Sequence, residues 1–273
     1  MKIIRVFVRR TSSTPTDEWA FIGEPPMIRP EADEVKISVV FTWDIESAKH
    51  LALAWAQYYS RVTMGGPALC TYADGFTPGL FTHLGITITS RGCNNNCPWC
   101  LVPQREGNIR EIPICPGNII QDNNLLQCSS DHIHKVFDML KTQRHVQFTG
   151  GLDARLLTND IVDRLRSIRL EQMFFACDNK ASIAHLRKAG EMLKDIPRSK
   201  KRCYVLLAFD GESISDCTER LQDVWQSGFM PFAQLYQPAD HRIVYSNEWR
   251  TLARNWSRPA IMKTIQSKHY CKV

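Results

Sequence analysis

The sequence predicts an α/β protein: a parallel sheet with helices outside it, a small β-α-β domain before it and a helical tail after it. Three observations carry that prediction. Between residues 83 and 240, β-branched and aromatic runs alternate with amphipathic helical runs, giving six strands separated mostly by helices. Ahead of them, Val35–Pro67 reads as strand, helix, strand, which calls for parallel pairing. Finally, three closely spaced cysteines follow the first strand of the alternation, at the end where parallel sheets place their chemistry. The boundaries expected are 1–82 for the small domain, 83–240 for the strand–helix alternation and 241–273 for the tail.

In the first domain, Lys2–Val8 is strand-like and a polar, proline-rich stretch runs to Pro30. Val35–Trp43 is a strong strand, and Asp44 is placed to cap a helix over Ile45–Ser60, whose Ala48, Leu51, Ala52, Trp55 and Tyr59 recur at helical spacing. Arg61–Pro67 is a strand ending in a glycine turn. The second domain opens with strand-like His83–Ser90, and Arg105–Pro116 reads as a hairpin or loop. Strands are expected at Gly117–Asp122, Val146–Leu157 (bulged at Gly150-Gly151), Gln172–Cys177, Arg202–Phe209 and Met230–Tyr236. Helices are expected at Asp131–Lys141, Asn159–Arg169, Lys180–Leu193 and Ser213–Ser227. In the tail, Tyr245–Ala253 is helical and Arg258-Pro259 ends or kinks it.

Composition narrows the setting. Hydrophobic residues are 44% and charged residues 23% of the 273, ordinary for a globular chain. No apolar run approaches a membrane span, and Met1–Arg10 is too short and charged for a signal peptide, so a cytoplasmic protein without membrane contact is expected. Ten cysteines then point to a reducing compartment. Cys70, Cys115, Cys128, Cys177, Cys203, Cys217 and Cys271 are scattered and read as buried thiols rather than a second cluster. The net charge of +6 permits a phosphate-bearing substrate or nucleic acid.

The chemistry concentrates in Thr89-Ser-Arg-Gly-Cys-Asn-Asn-Asn-Cys-Pro-Trp-Cys100, where Cys93, Cys97 and Cys100 have the spacing C-x3-C-x2-C. Three thiolates this close can hold three corners of an iron–sulfur cube and leave one iron open. A structural zinc knuckle would want a fourth ligand at short spacing, and none follows. The stretch resembles the cysteine loop of the radical S-adenosylmethionine (SAM) superfamily, with Trp99 as the aromatic residue before the last cysteine. The resemblance implies a partial (β/α)6 barrel over 83–240 and a 4Fe–4S cluster on the three cysteines. It also implies SAM on the open iron, and cleavage of SAM by one electron to methionine and a 5′-deoxyadenosyl radical. An electron donor of flavodoxin or ferredoxin type follows as a partner.

The strand ends supply the remaining candidates by the same resemblance. Asp122-Asn123-Asn124 ends the second strand, where the family receives the SAM amino group; Gly150-Gly151 is the rival match. Asp153 and Arg155 end the third, Arg155 being suited to the SAM carboxylate. Asp178 ends the fourth beside Asn179, at the ribose position, and Phe209-Asp-Gly-Glu-Ser213 ends the fifth, with Gly211 allowing approach to adenine. Helix capping is the plainer alternative for Asp178 and Ser213. Cys177 and Tyr236 are the catalytic candidates, with Cys177 as a hydrogen-atom donor, and Gln234 and Asp153 are further residues for the interior.

The first domain is similar to a shortened form of the cobalamin-binding domain found in one radical SAM subclass, including its Gly65-Gly66-Pro67 turn. It lacks the Asp-x-His-x-x-Gly loop, and His50 and His83 stand in other contexts, which argues against cobalamin. A cap over the site is one role; substrate recognition through Trp19, Trp43 and Tyr72 is another. In the tail, Arg242, Arg250, Arg254, Arg258, Lys263, Lys268 and Lys272 interleave with Trp249, Trp256 and Tyr270. This suits either nucleic-acid contact or tryptophans packed inward under a basic face, and Arg198–Arg202 adds a charged loop. A modified nucleobase or nucleoside, such as the hypermodified thymines handled by some phage-encoded relatives, is the first substrate expected. The alternatives are a peptide or small-metabolite substrate, a cobalamin-dependent methyltransferase, and a non-catalytic iron–sulfur or zinc protein that binds nucleic acid.

Overall fold

The computed structural model describes residues 1–71 and 75–270, with side chains as far as residue 265. Tyr72, Cys271 and Lys272 lie outside the described residues, as do the side chains of Lys268 and Tyr270.

The chain forms two parallel sheets. The first contains β1 (Ile3–Phe7), β2 (Ala20–Ile22), β3 (Glu34–Ser38) and, after helix α1 (Ile45–Ala56), β4 (Val62–Gly65). Its order is β2-β1-β3-β4, with every pair parallel. Ile4, Val6, Val35 and Ile37 bury one face against Ala48, Leu51 and Trp55 of α1. The expected strand over 35–43 stops at Ser38, because the chain turns through Thr42–Asp44 before the helix. The helix in turn stops at Ala56, short of Ser60. Asp44 makes no capping hydrogen bond; its buried carboxylate receives Arg9 instead. Strand β2 was not expected within the proline-rich stretch.

The second unit begins with β5 (Ile86–Thr87) and β6 (Ser90–Arg91), continues through α2 (Val102–Glu106) and β7 (Arg110–Glu111), and reaches β8 (Ile119–Ile120). Then come α3 (Ser130–Lys141), β9 (Val146–Leu152), α4 (Asn159–Ser167), β10 (Leu170–Ala176), α5 (Ser182–Met192), β11 (Lys201–Leu207), α6 (Ile214–Gln226) and β12 (Met230–Leu235). Helices α7 (Asn247–Asn255) and α8 (Pro259–Tyr270) close the described chain. The sheet runs β5-β8-β9-β10-β11-β12, all parallel and in chain order, while β6 and β7 pair antiparallel and close the cysteine-bearing segment at its base. Ser129, Thr158 and Ser213 cap α3, α4 and α6 with their hydroxyls, each contributing about 1 kcal/mol.

Strand alternation sorts the side chains. Phe148, Met173, Phe175, Cys203, Val205 and Leu207 enter the same core as Val136, Phe137, Leu165, Leu186 and Leu221 from the helices. On the other face Phe174 stacks on Tyr204, and Phe232 meets both edge-on. The bulge expected at Gly150-Gly151 is present as a register shift between β9 and β10. A Cβ on Gly150 would lie 1.8 Å from the Asp122 carbonyl oxygen, so that glycine permits a close backbone crossing at the end of β8.

The tail packs inward. Trp256 and Met262 are buried in the main core, and Trp249 lies against it. Arg242, Arg250, Arg254, Arg258 and Lys263 are exposed. The charged loop expected at Arg198–Arg202 is shorter than the charge run: Lys201 and Arg202 belong to β11 and are buried, Lys201 donating to the Leu193 carbonyl and Arg202 lying over the Phe174 and Phe232 rings. Among the described residues, no helix is long and apolar enough to cross a membrane.

Candidate metal centre

The cysteine loop is held from below by a buried carboxylate. Asp122, just past β8 and 2% exposed, accepts the Thr89 N–H at 2.6 Å, the Thr89 hydroxyl at 2.6 Å and the Ser90 hydroxyl at 2.8 Å. Burial pushes its carboxyl upward, and these donors pull it back. Asp122 was expected at a bound SAM amino group; in the structure it braces the strand that delivers the cysteines. Gly92 then turns the chain at φ +81°, where a Cβ would meet the Asn108 carbonyl oxygen at 2.2 Å. Cys93 N–H donates to the Gly107 carbonyl, and Asn94 N–H to the Gln127 side chain. The loop is therefore shaped by contacts that do not pass through its sulfurs.

Cys93 is buried, whereas Cys97 and Cys100 are half-buried. Burial raises the Cys97 thiol, and Cys100, Cys93 and Asp178 raise it further against the opposing charge of Arg155. Cys100 is raised by burial, relieved by the Val102 N–H, and raised again by Cys93, Asp178 and Glu106. Cys97 and Cys100, which resist ionisation partly because of their neighbouring cysteines, form with Cys93 a donor set that a cationic metal group would stabilise. The residues present fit such a group. Asn95 N–H and the Asn124 amide already approach Cys93 Sγ at 3.4 and 3.9 Å, and Asn124 Oδ1 is buried without a partner. Among the described residues, no three His, Cys, Asp or Glu side chains gather as a site for one metal ion. Tetrahedral zinc needs its ligands drawn to a single point, whereas a cube takes one cysteine at each of three separate corners.

The other strand ends reach the same loop. Asp153, after β9, accepts the Asn95 amide at 3.1 Å and the Asn124 amide at 3.4 Å, and Arg155 grips it through Nε at 2.9 Å and Nη2 at 2.6 Å. Burial opposes the charge on Asp153, yet the Arg155 and Asn95 donors win and hold its carboxyl at about 2. Arg155, expected at a SAM carboxylate, thus spends two donors on Asp153. Asn123 donates to Glu106 at 2.8 Å. Asp178, after β10, accepts the Leu206 N–H at 2.9 Å and the side chain of Trp99, which oppose the upward push of burial. It does not cap α5; ahead of that helix the Asn179 side chain takes the Ser182 N–H at 2.9 Å.

Trp99 meets Phe209 edge-on at 5.4 Å, and Phe209 meets Tyr236 edge-on at 4.9 Å. The turn that presents Phe209 holds Ala208 at φ +61° and Asp210 at φ +53°, left-handed backbone costing about 1 kcal/mol or more at each non-glycine residue. Gly211 has φ +75°, left-handed backbone that favours glycine, and open space where its Cβ would be.

One expectation is corrected. Cys177 was placed toward the interior as a hydrogen-atom donor. It lies on the helix-packed side with Met173 and Phe175, fully buried, its thiol pushed up to about 12 chiefly by that burial. The parity of the strand, with two apolar residues at the preceding odd positions, is the signal that identifies its side. Sequence reading also missed Glu106, Asn95 and Gln127, which brace the loop. Each stands in a polar segment that reads as loop, and only the fold brings them together.

No protein-family model matches this chain, and no curated protein sequence matches it.

Proposed function

We propose that this chain is a radical SAM enzyme acting on a modified nucleobase or nucleoside. The observation that carries the reading is the convergence of the C-x3-C-x2-C loop, through Asp122, Asp153, Asp178, Phe209 and Tyr236, with the carboxyl ends of five strands of one parallel sheet. On this reading the sheet and its helices are a partial (β/α)6 barrel, and the first sheet is a cap related to cobalamin-binding domains.

A 4Fe–4S cluster held by Cys93, Cys97 and Cys100, with SAM on its open iron, would supply reductive cleavage of SAM and the radical that abstracts hydrogen. The chain's own residues do the positioning. Asp122 fixes the start of the loop, and Asp153 ties Asn95 to the end of β9. Trp99 is held between Asp178 and Phe209 beside the cysteines. Asn124 Oδ1, buried and without a partner, is the acceptor best suited to an ammonium donor of SAM. Electrons would come from a flavodoxin- or ferredoxin-like protein in the cytoplasm.

The test is anaerobic reconstitution with iron and sulfide, followed by SAM and a strong reductant, with 5′-deoxyadenosine measured by mass spectrometry. Deoxyadenosine should form with the intact triad and vanish in Cys97→Ala. An iron-loaded protein that forms none, with or without nucleoside and oligonucleotide substrates, would overturn the assignment.

A further inference from the structure

A cavity of about 750 Å³ lies between the two sheets. Its walls include the carboxyl ends of β1, β3 and β4 on one side and Ile88, Arg91 and Gln121 on the other. Ile88 and Gln121 follow the ends of β5 and β8, and Arg91 belongs to β6, on the segment that leads to Cys93. The volume falls in the range of small-molecule sites, and crevices at the carboxyl ends of parallel strands are where such sheets bind ligands. Its wall is anchored rather than loose: buried Arg5 donates to the Gly79 and Leu80 carbonyls at 2.8 and 3.0 Å.

An aromatic pair beside the cavity selects its ligand. Phe41, in the cavity wall, is stacked in parallel on Trp43, 4.8 Å away and 7° from coplanar, and Trp43 is 61% exposed. Val40 and Phe81, also at the wall, are likewise exposed. A flat aromatic face held open to solvent beside a deep cavity suits a planar ring. The cations among the described lining residues are already paired, Arg9 with Asp44, Lys36 with Glu34 and Arg91 with Glu106, so charge does not select the ligand.

We propose that this cavity receives a single nucleobase, the base passing the Phe41–Trp43 stack toward the end of β5. The inference deepens the proposed reaction and rests on it only for the fate of the base. Binding itself is tested without SAM or reductant. A short oligothymidylate carrying one 2-aminopurine is titrated with the protein, and anisotropy and 2-aminopurine quenching are read together. Trp43→Ala should abolish the quench and weaken binding at least about fivefold. Trp43→Phe should restore most of both, and Leu53→Ala, exposed on α1, should change neither. Competition by thymidine monophosphate as strong as that by the strand would identify free nucleotide as the source; competition by the strand alone would identify nucleic acid. Quenching that persists in Trp43→Ala, or equal affinity for an abasic strand, would overturn the proposal. Protein that binds this way but forms no deoxyadenosine would overturn the proposed reaction and leave this site standing.

Discussion

At the amino ends of β9, β10 and β11, Arg166 meets Asp195 at 2.8 Å and Asp163 at 2.9 Å, and His145 meets Glu171 at 2.9 Å, all in solvent. At the carboxyl ends, Asp122, Asp153 and Asp178 are enclosed and share their donors with the cysteine loop. Both ends are dense in charge. The exposed pairs at the first end are screened and contribute little. The enclosed groups at the second have their ionisation set by burial and by donors fixed elsewhere in the fold. Enclosure, rather than the number of charges, distinguishes the cysteine-bearing end of this sheet from the other.

Substitutions at the two ends should differ accordingly. Asp122→Ala leaves the Thr89 N–H and two hydroxyls unpaired in a closed space, and should lower the unfolding free energy in urea by about 3 kcal/mol and reduce iron uptake. Unchanged stability would mean that water replaces the carboxylate. Next comes Arg155→Gln. The folded carboxyl of Asp153 titrates at about 2, below its ordinary 3.8, so its contribution is present above the unfolded value and lost as pH falls through the folded one. With Arg155 half-exposed, the substitution should cost about 1 kcal/mol at neutral pH and flatten the acid loss of stability between about pH 4 and 2. Cys177→Ala should cost about 1 kcal/mol through its small cavity while leaving deoxyadenosine formation intact; a lost activity with retained fold would return Cys177 to the site. The smallest effect belongs to the amino end: Arg166→Gln should leave the thermal midpoint unmoved.

Local signals made much of this visible in the amino-acid sequence. The cysteine spacing, the alternation of strand and helix, and the cap Ser213 depend on residues within a few positions of one another. The Gly150-Gly151 bulge was legible for the same reason, although its cause, the passing Asp122 carbonyl, was not. What escaped involves distant partners. Asp122 was read by its position at a strand end, but its role depends on Thr89, 33 residues earlier. Trp99 was read as a cluster neighbour, while its partners Asp178 and Phe209 arrive from later strands. Asp44 sits where a cap belongs, and lost that role to Arg9, 35 residues away.

The Asp122 brace also bears on repair. On the proposed cluster reading, because Thr89, Ser90, Gly92 and Asn94 are held by protein groups, a molecule stripped of iron by oxygen should keep its cradle and accept new iron and sulfide without refolding. Amide exchange at Thr89 and Asn94 should then be equally slow before and after chelation, so that oxidative damage empties the centre but leaves the scaffold ready for reloading.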